Sequence, residues 1–300
     1  MSFIDKALER AKSLRQGKDE APTPLEKRST AKDVQYLLHP GSGIQGTPSE
    51  GITYGITRTV QVDLDKLQHK RLIVGEEECS SAEEYKLLRT RILQRTRDEQ
   101  RNVLMVTGPL PGEGKTLTCV NLAISIAQEA ERAVLLVDAD LRYPTIHRYF
   151  GIKGEPGLVD HLEGGVPLSE VMVHPEGLRN LVLLPAGRRI AQGLELIGSS
   201  SMAELVQELK HFYPDRYVLF DFPPLLSYAD SLAFAPLTDG IIVVVEAGKT
   251  AVKDIDRALQ MVKEFKVLGL VLNKVDATPQ DLYYYRDKQE NAKRKFFWSR

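Results

Sequence analysis

The run VLMVTGPLPGEGKTLTCVNLA, from Val103 to Ala123, constrains this chain more than any other stretch. Val103 to Val106 form an apolar, β-branched run, a Pro/Gly-rich loop follows, and beyond Gly112-Glu113-Gly114-Lys115-Thr116 apolar residues recur at helical spacing. The order is strand, phosphate loop, helix. Glycines let backbone N–H groups turn toward phosphate oxygens, and the helix N-terminus adds partial positive charge. Lys115 can reach the β- and γ-phosphates, and the Thr116 hydroxyl can hold Mg2+. The strict motif has glycine where this chain has Pro109, with Gly108 one place upstream, so the loop is a variant. A bare GxGK also occurs at ordinary helix-entry turns. Strand, loop, Lys-Thr and helix in one register favour nucleotide binding over that plainer reading.

Downstream the pattern repeats without the glycines. Ala133 to Val137 read as a buried strand delivering Asp138 and Asp140 at its carboxyl end, on the same side of the chain and able to face a cation. RYVLFDFPP ends a second such strand on Asp221, and IIVVVEAG and GLVLNK supply two more between helical stretches. Alternation of this kind predicts an α/β fold, a mostly parallel sheet with helices on both faces, whose ligands bind at the carboxyl ends of the strands. Lys115, Thr116, Asp138, Asp140, Asp221 and Asn273 all fall there.

Composition sets the outer limits. With 300 residues, 42% of them hydrophobic, the chain can hold one large α/β domain with extensions, or two small ones. A net charge of -1 gives no global pull toward nucleic acid, and no nucleic-acid partner is expected. Cys79 and Cys119 are far apart and the six histidines are scattered, which fits a reduced cytosolic protein better than a disulfide scaffold or zinc site. No run approaches the roughly 18 apolar residues of a membrane span, and MSFIDKALERAKS lacks a signal-peptide core.

Four segments follow from these patterns. Residues 1–17 form an amphipathic helix, read either as a docking helix or as a membrane or partner contact. Residues 18–70 are linker-like, with some alternation regained from Thr57 to Leu67. Residues 71–276 form the phosphate-loop domain, opening with a helix introduced by the N-cap chemistry of Ser80-Ser81 and carrying Glu83, Lys86 and Arg89 at three-residue intervals. Residues 277–300 form a tail in which Tyr283, Tyr284 and Tyr285 stand together among polar residues, ahead of a basic-aromatic KRKFFW. That tail is either an exposed aromatic segment with packing value or a contact for a partner or membrane surface.

These motifs together resemble a known family. PGEGKT as a deviant Walker A, LLVDADLRYP as a second acidic motif, VLFDFPP as Walker B, LNK near the end and a tyrosine-rich C-terminus are similar to the bacterial tyrosine kinases of exopolysaccharide export, within the MinD/ParA-like group. The group's signature lysine would fall at Leu110 and is missing, as in the kinases. PAGRR, YPDRYVLFDFPPLL and the MSxIxKALE-like start resemble the subgroup encoded beside exosortase and PEP-CTERM loci.

The resemblance implies ATP and Mg2+ as cofactors. Gly112, Glu113, Gly114, Lys115, Thr116 and Leu117 would hold phosphates, Asn273 would recognise adenine, and Thr116, Asp138, Asp140 and Asp221 would organise Mg2+. Lys115, Asp138, Asp140 and Arg142 would be catalytic, with Asp138 the base for a tyrosine hydroxyl and Arg142 serving either the phosphate charge or a neighbouring subunit. Glu83, Lys86 and Arg89 match a helix that builds a ring-shaped homo-oligomer. The acceptors would be Tyr283, Tyr284 and Tyr285 of an adjacent subunit. The expected partner is a membrane chain-length-determinant protein that recruits the cytoplasmic chain to the inner face of the plasma membrane. Three departures stand out: Phe222 where the family has Thr or Ser, Lys86 where it has Arg, and a compact tyrosine triplet in place of a dispersed cluster. Two other classes remain: an ATP switch that positions a partner without phosphorylating it, and an adaptor with a degenerate nucleotide site.

Overall fold

The computed structural model describes residues 57–74, 80–97, 101–129, 132–153, 156–212 and 216–275. The predicted amphipathic helix at 1–17, most of the linker, and the tail with Tyr283, Tyr284 and Tyr285 lie outside the described residues. Eight strands form one sheet in the order β1-β4-β5-β3-β6-β2-β7-β8. They are β1 (Arg58–Val60), β2 (Val103–Thr107), β3 (Ala133–Asp138), β4 (Val173–Pro175), β5 (Leu181–Leu184), β6 (Arg216–Asp221), β7 (Gly240–Glu246) and β8 (Val267–Asn273). From β5 to β8 every pairing is parallel, while β4 meets β5 antiparallel and β1 joins β4 in parallel. The mostly parallel α/β sheet predicted from sequence is the fold.

Each central strand feeds two cores because its side chains alternate between faces. In β2, Val103 and Met105 enter the core on one face, while Leu104 and Val106 enter the core on the other. The main helices are α1 (Leu64–His69), α2 (Ser80–Thr96), α3 (Lys115–Ala127), α4 (Ser200–Phe212), α5 (Asp230–Phe234) and α6 (Val252–Met261), with shorter helical turns between them. α2 and α3 contribute Ile92, Val120, Leu122 and Ile126 to one core; α4 and α6 contribute Met202, Leu205, Val206 and Ala258 to the opposite one. Helices thus cover both faces, and the carboxyl edge of the sheet stays open to loops.

The folded unit reaches further upstream than the predicted boundary at residue 71. β1 and α1 lie in the segment read as linker, and Leu67 of α1 is buried with Leu72, Ile73 and Val74 against the α3 side of the sheet. Asp63 caps α1 by accepting a hydrogen bond from the Lys66 N–H at 3.1 Å. Both begin within the Thr57 to Leu67 stretch where alternation resumes, but three strand and six helix residues are too few for a period to fix an element. Among the described residues, no helix is long and apolar enough to cross a membrane.

Candidate functional site

The phosphate loop runs from the end of β2 into α3, and its shape is set by glycines and by contacts from distant chain. Gly112 and Gly114 have φ of 81° and 87°, in the left-handed region that glycine alone enters freely. Gly108, the glycine displaced by one from the strict motif, is where the backbone comes closest: a Cβ there would strike the Val244 carbonyl and the Glu113 carboxylate. The displaced glycine therefore answers a packing demand. Glu113 is buried, accepting hydrogen bonds from the Leu110 N–H at 2.8 Å and the Thr250 hydroxyl at 2.7 Å. Its side chain braces the loop from within, so any contact it makes to a nucleotide is through its backbone. Lys115 donates to the Leu110 carbonyl at 2.7 Å. Burial lowers the lysine's pKa, against the opposing pull of Glu113, Asp221 and Asp140.

Asn273 and Lys274, at the end of β8, close over the same loop. The Asn273 amide donates to the Glu113 carbonyl at 2.9 Å, and the Lys274 ammonium donates to the Gly112 carbonyl at 2.7 Å while pairing with Glu246 at 3.1 Å. Asn273 thus has a loop-shaping contact beside the base-reading role predicted for it. Thr250, Glu246 and Lys274 are site residues that sequence reasoning missed. Lys274 stands inside the LNK motif without having been assigned a role there, Thr250 and Glu246 carry no motif, and only the fold brings the three to the loop.

Asp140 and Asp221 lie near enough to act on the Lys115 charge, and Asp138 sits beside both of them. Asp138 of β3 and Asp221 of β6 are direct register partners, both buried at the carboxyl ends of their strands. The Asp138 Oδ2 atom accepts the Thr145 and Ile146 N–H groups at 3.0 and 2.9 Å, leaving Oδ1 without a hydrogen-bond partner. Burial raises the Asp138 carboxyl to about 7 against those hydrogen bonds, with the Asp140 charge adding to the rise. Asp221 is pushed up by burial and then by the Asp138 charge; the Thr116 hydroxyl lies near enough to ease that charge, short of a well-formed hydrogen bond. Asp140 is less deeply set, and its Oδ1 accepts the Tyr143 N–H at 2.9 Å.

Buried carboxylate oxygens without donors call for a cation. Asp138 Oδ1 and both Asp221 oxygens are of this kind. Among the described residues no three acidic, histidine or cysteine side chains close into a metal cage. Mg2+ takes one or two carboxylates and completes its shell from phosphate and water, a demand that Asp138 and Asp221 could meet. Of the four residues assigned to a cation from the sequence, Asp138 and Asp221 have the donor-free oxygens that one would need.

Arg142 points elsewhere. Its guanidinium pairs with the buried Asp230 at 3.2 Å, donates to the Ala191 carbonyl at 2.8 Å, and lies 4.8 Å from the centre of the Tyr228 ring. A buried carboxylate needs a counter-charge, and Arg142 supplies it. On α2, Glu83 and Lys86 are solvent-facing and paired at 2.5 Å, whereas Arg89 turns inward to the Ser125 carbonyl at 2.8 Å and Glu129 at 3.1 Å. Phe222 also leaves the site: it stacks on Phe234 at 4.5 Å inside the core.

Comparison with known proteins places this geometry. The AAA domain family matches residues 102–274, spanning the sheet from β2 to β8. The chain is 31% identical over 232 residues to the tyrosine-protein kinase YwqD of Bacillus subtilis, covering 77% of this chain and 96% of that protein. It is 30% identical over 237 residues to the succinoglycan biosynthesis transport protein ExoP of Rhizobium meliloti, covering 75% of this chain but only 29% of that much longer protein. Among solved structures, the VpsO kinase domain superposes with a TM-score of 0.59 at 32% identity, covering 65% of this chain and 97% of its own. With its phosphate loop, its paired strand-end acids and a full-length kinase relative in register, the chain belongs to the bacterial tyrosine-protein kinases built on the AAA domain.

Proposed function

We propose that this chain is an ATP-dependent tyrosine autokinase of exopolysaccharide biosynthesis or export, phosphorylating Tyr283, Tyr284 and Tyr285 of an adjacent subunit. The observation that carries the reading is the placement of Lys115 beside Asp140 and Asp221, with Asp138 the register partner of Asp221 and three buried carboxylate oxygens lacking donors. When bound, Mg2+ would neutralise phosphate charge there. Phosphoryl transfer depends chiefly on positioning and charge neutralisation, and the chain's own groups supply both. The loop N–H groups and Lys115 would hold the β- and γ-phosphates, and the contacts from Thr250, Asn273 and Lys274 keep the loop in that shape.

The acceptor oxygen forms its bond to the γ-phosphorus as the bond to the leaving ADP oxygen breaks. The hydroxyl proton goes to the Asp138 carboxylate, the base predicted for it, and Asp221, both of whose oxygens lack donors, would then be the main carboxylate holding the cation. The polysaccharide setting rests on relatives such as ExoP, named for succinoglycan transport. It implies a membrane chain-length-determinant protein as activator, a ring of subunits, and a cytoplasmic chain drawn to the membrane by that partner.

Incubation of the full chain with labelled ATP, Mg2+ and the cytosolic segment of the membrane partner should label tyrosine within residues 283–285, and Lys115→Met should abolish it. Equal labelling of wild type and Lys115→Met overturns the reading. ATP turnover without tyrosine labelling would instead identify an ATP switch.

A further inference from the structure

Beyond the nucleotide site lies a cluster that the chemistry above does not use. Three loops at the carboxyl edge, following β3, β5 and β6, each contribute to it. The Arg189 guanidinium lies 4.6 Å from the centre of the Tyr143 ring, Tyr143 and Tyr228 sit 6.5 Å apart at 46°, and Arg142 lies 4.8 Å from the Tyr228 ring centre. The order is cation, ring, ring, cation. Its inner end is fixed: Arg142 is anchored on Asp230 and the Ala191 carbonyl, and the Ile190 N–H donates to the Leu141 carbonyl at 3.0 Å, tying the β3 and β5 loops together.

Its outer end is open. Tyr143 is 54% exposed, and Arg189 is exposed with no carboxylate partner among the described residues. A large ring kept at the surface, with an unneutralised guanidinium over it, is an arrangement that folding alone does not demand. The cluster also sits beside the chemistry. The Tyr143 N–H holds Asp140 at 2.9 Å, and β3 and β6 carry the acids while β5 lies immediately outward in the sheet. An acceptor approaching the acids from the β5 side has to cross it.

We propose that Tyr143, Tyr228 and Arg189 form the acceptor-recognition platform, with Arg142 as its positioning residue, and that its ligand is an aromatic side chain flanked by acidic residues. The segment 281–287 of this chain, DLYYYRD, has that chemistry: three tyrosines bracketed by Asp281 and Asp287. One acceptor ring would pack against Tyr143 while a flanking carboxylate pairs with Arg189. This rests on the autokinase reading and gives it a basis for substrate choice.

The test uses the full chain with Tyr283, Tyr284 and Tyr285 changed to Phe, so that only an added peptide accepts label, and a synthetic peptide of residues 277–292. Peptide Kd by fluorescence anisotropy, peptide KM and kcat, and the Kd of a non-hydrolysable ATP analogue are measured together. Arg189→Glu should raise peptide Kd and KM at least tenfold, with kcat falling far less and the ATP-analogue Kd unmoved. Tyr143→Ala should do the same, while Tyr143→Phe keeps affinity within about threefold. A peptide carrying Asp281→Lys and Asp287→Lys should regain binding to Arg189→Glu. Peptide affinity that ignores Arg189→Glu or Tyr143→Ala, absence of the charge-swap rescue, or no binding to wild type overturns the platform. If wild type binds the peptide with this dependence but transfers no phosphate, the autokinase reading fails and the platform stands.

Discussion

Asp138 is a buried carboxyl with one oxygen lacking a donor. Its carboxyl is raised from 3.8 to about 7 by burial, so the folded chain keeps a proton that the unfolded chain releases across that window. Because the folded value is the higher one, the contribution is full below about pH 4, falls as pH rises toward 7, and is flat above. At about 1.4 kcal/mol per pH unit the upper limit is ~4 kcal/mol for this group. Urea denaturation in chelator should show wild type losing stability between pH 4 and 7, with Asp138→Asn flattening that slope and being the more stable protein at pH 7.5. Parallel pH profiles for the two proteins would remove the argument. Mg2+ at pH 7.5 should stabilise wild type more than Asp138→Asn, since only the former presents the charged oxygen. Phe222 shows the reverse situation, a departure at a motif position with no charge at stake. Stacked on Phe234, which also packs against Phe220, it serves the core, so Phe222→Ser should cost about 3–5 kcal/mol in denaturant unfolding. The affinity for ADP and Mg2+ measured on the fraction still folded should hold, because the side chain does not face the loop.

The strand-loop-helix from β2 to α3 is a local object, and locality is why it was legible. Glycine spacing, the Lys-Thr pair and the helical period all fall within one short window. What holds the loop in shape comes from elsewhere. Thr250, Asn273 and Lys274 reach Glu113 and Gly112 across separations of 137, 160 and 162 residues, and no period or spacing encodes such contacts. The antiparallel excursion of β4 and the addition of β1 were hidden for the same reason, since a three-residue strand is defined only by what it pairs with. The Glu113–Thr250 bond gives this clamp a measurable size. Thr250→Val keeps the volume but leaves a buried carboxylate oxygen without its donor, a loss of about 1–3 kcal/mol. Calorimetry should show ADP with Mg2+ binding roughly tenfold more weakly, the equivalent of about 1.4 kcal/mol drawn from a loop no longer held in its binding shape. The global unfolding free energy should fall by no more than that ~1–3 kcal/mol, because the sheet itself does not depend on the bond. Unchanged nucleotide affinity would show that the loop keeps its shape without the clamp.

At the scale of the molecule, the sheet order separates three tasks along one edge. β2 and β7 flank the phosphate loop, β6 and β3 carry the acids, and β3 and β5 present the aromatic surface. The proposed reaction between subunits needs a further surface, one that brings a second copy into place, and the family resemblance of the helix carrying Glu83, Lys86 and Arg89 implied that task for α2. The fold divides these three residues. Arg89 is committed within its own chain, its side chain only 17% exposed and bound to Ser125 and Glu129, so it fastens α2 onto α3. Glu83 and Lys86 are 72% and 47% exposed, and a surface pair of this kind is worth only about 0–1 kcal/mol, little enough to exchange for a partner across an interface. Arg89→Ala therefore cannot test assembly by itself, because it loosens the helix as well. Lys86→Glu and Glu83→Lys are the informative variants, since each places like charges side by side without touching the core. Sedimentation velocity over a range of concentrations should show wild type shifting to larger species while both variants remain monomeric with unchanged melting temperatures. The double exchange, which restores one charge of each sign, should recover part of the assembly. If all four proteins sediment alike, α2 is not the surface through which copies meet, and the second copy must approach through another face.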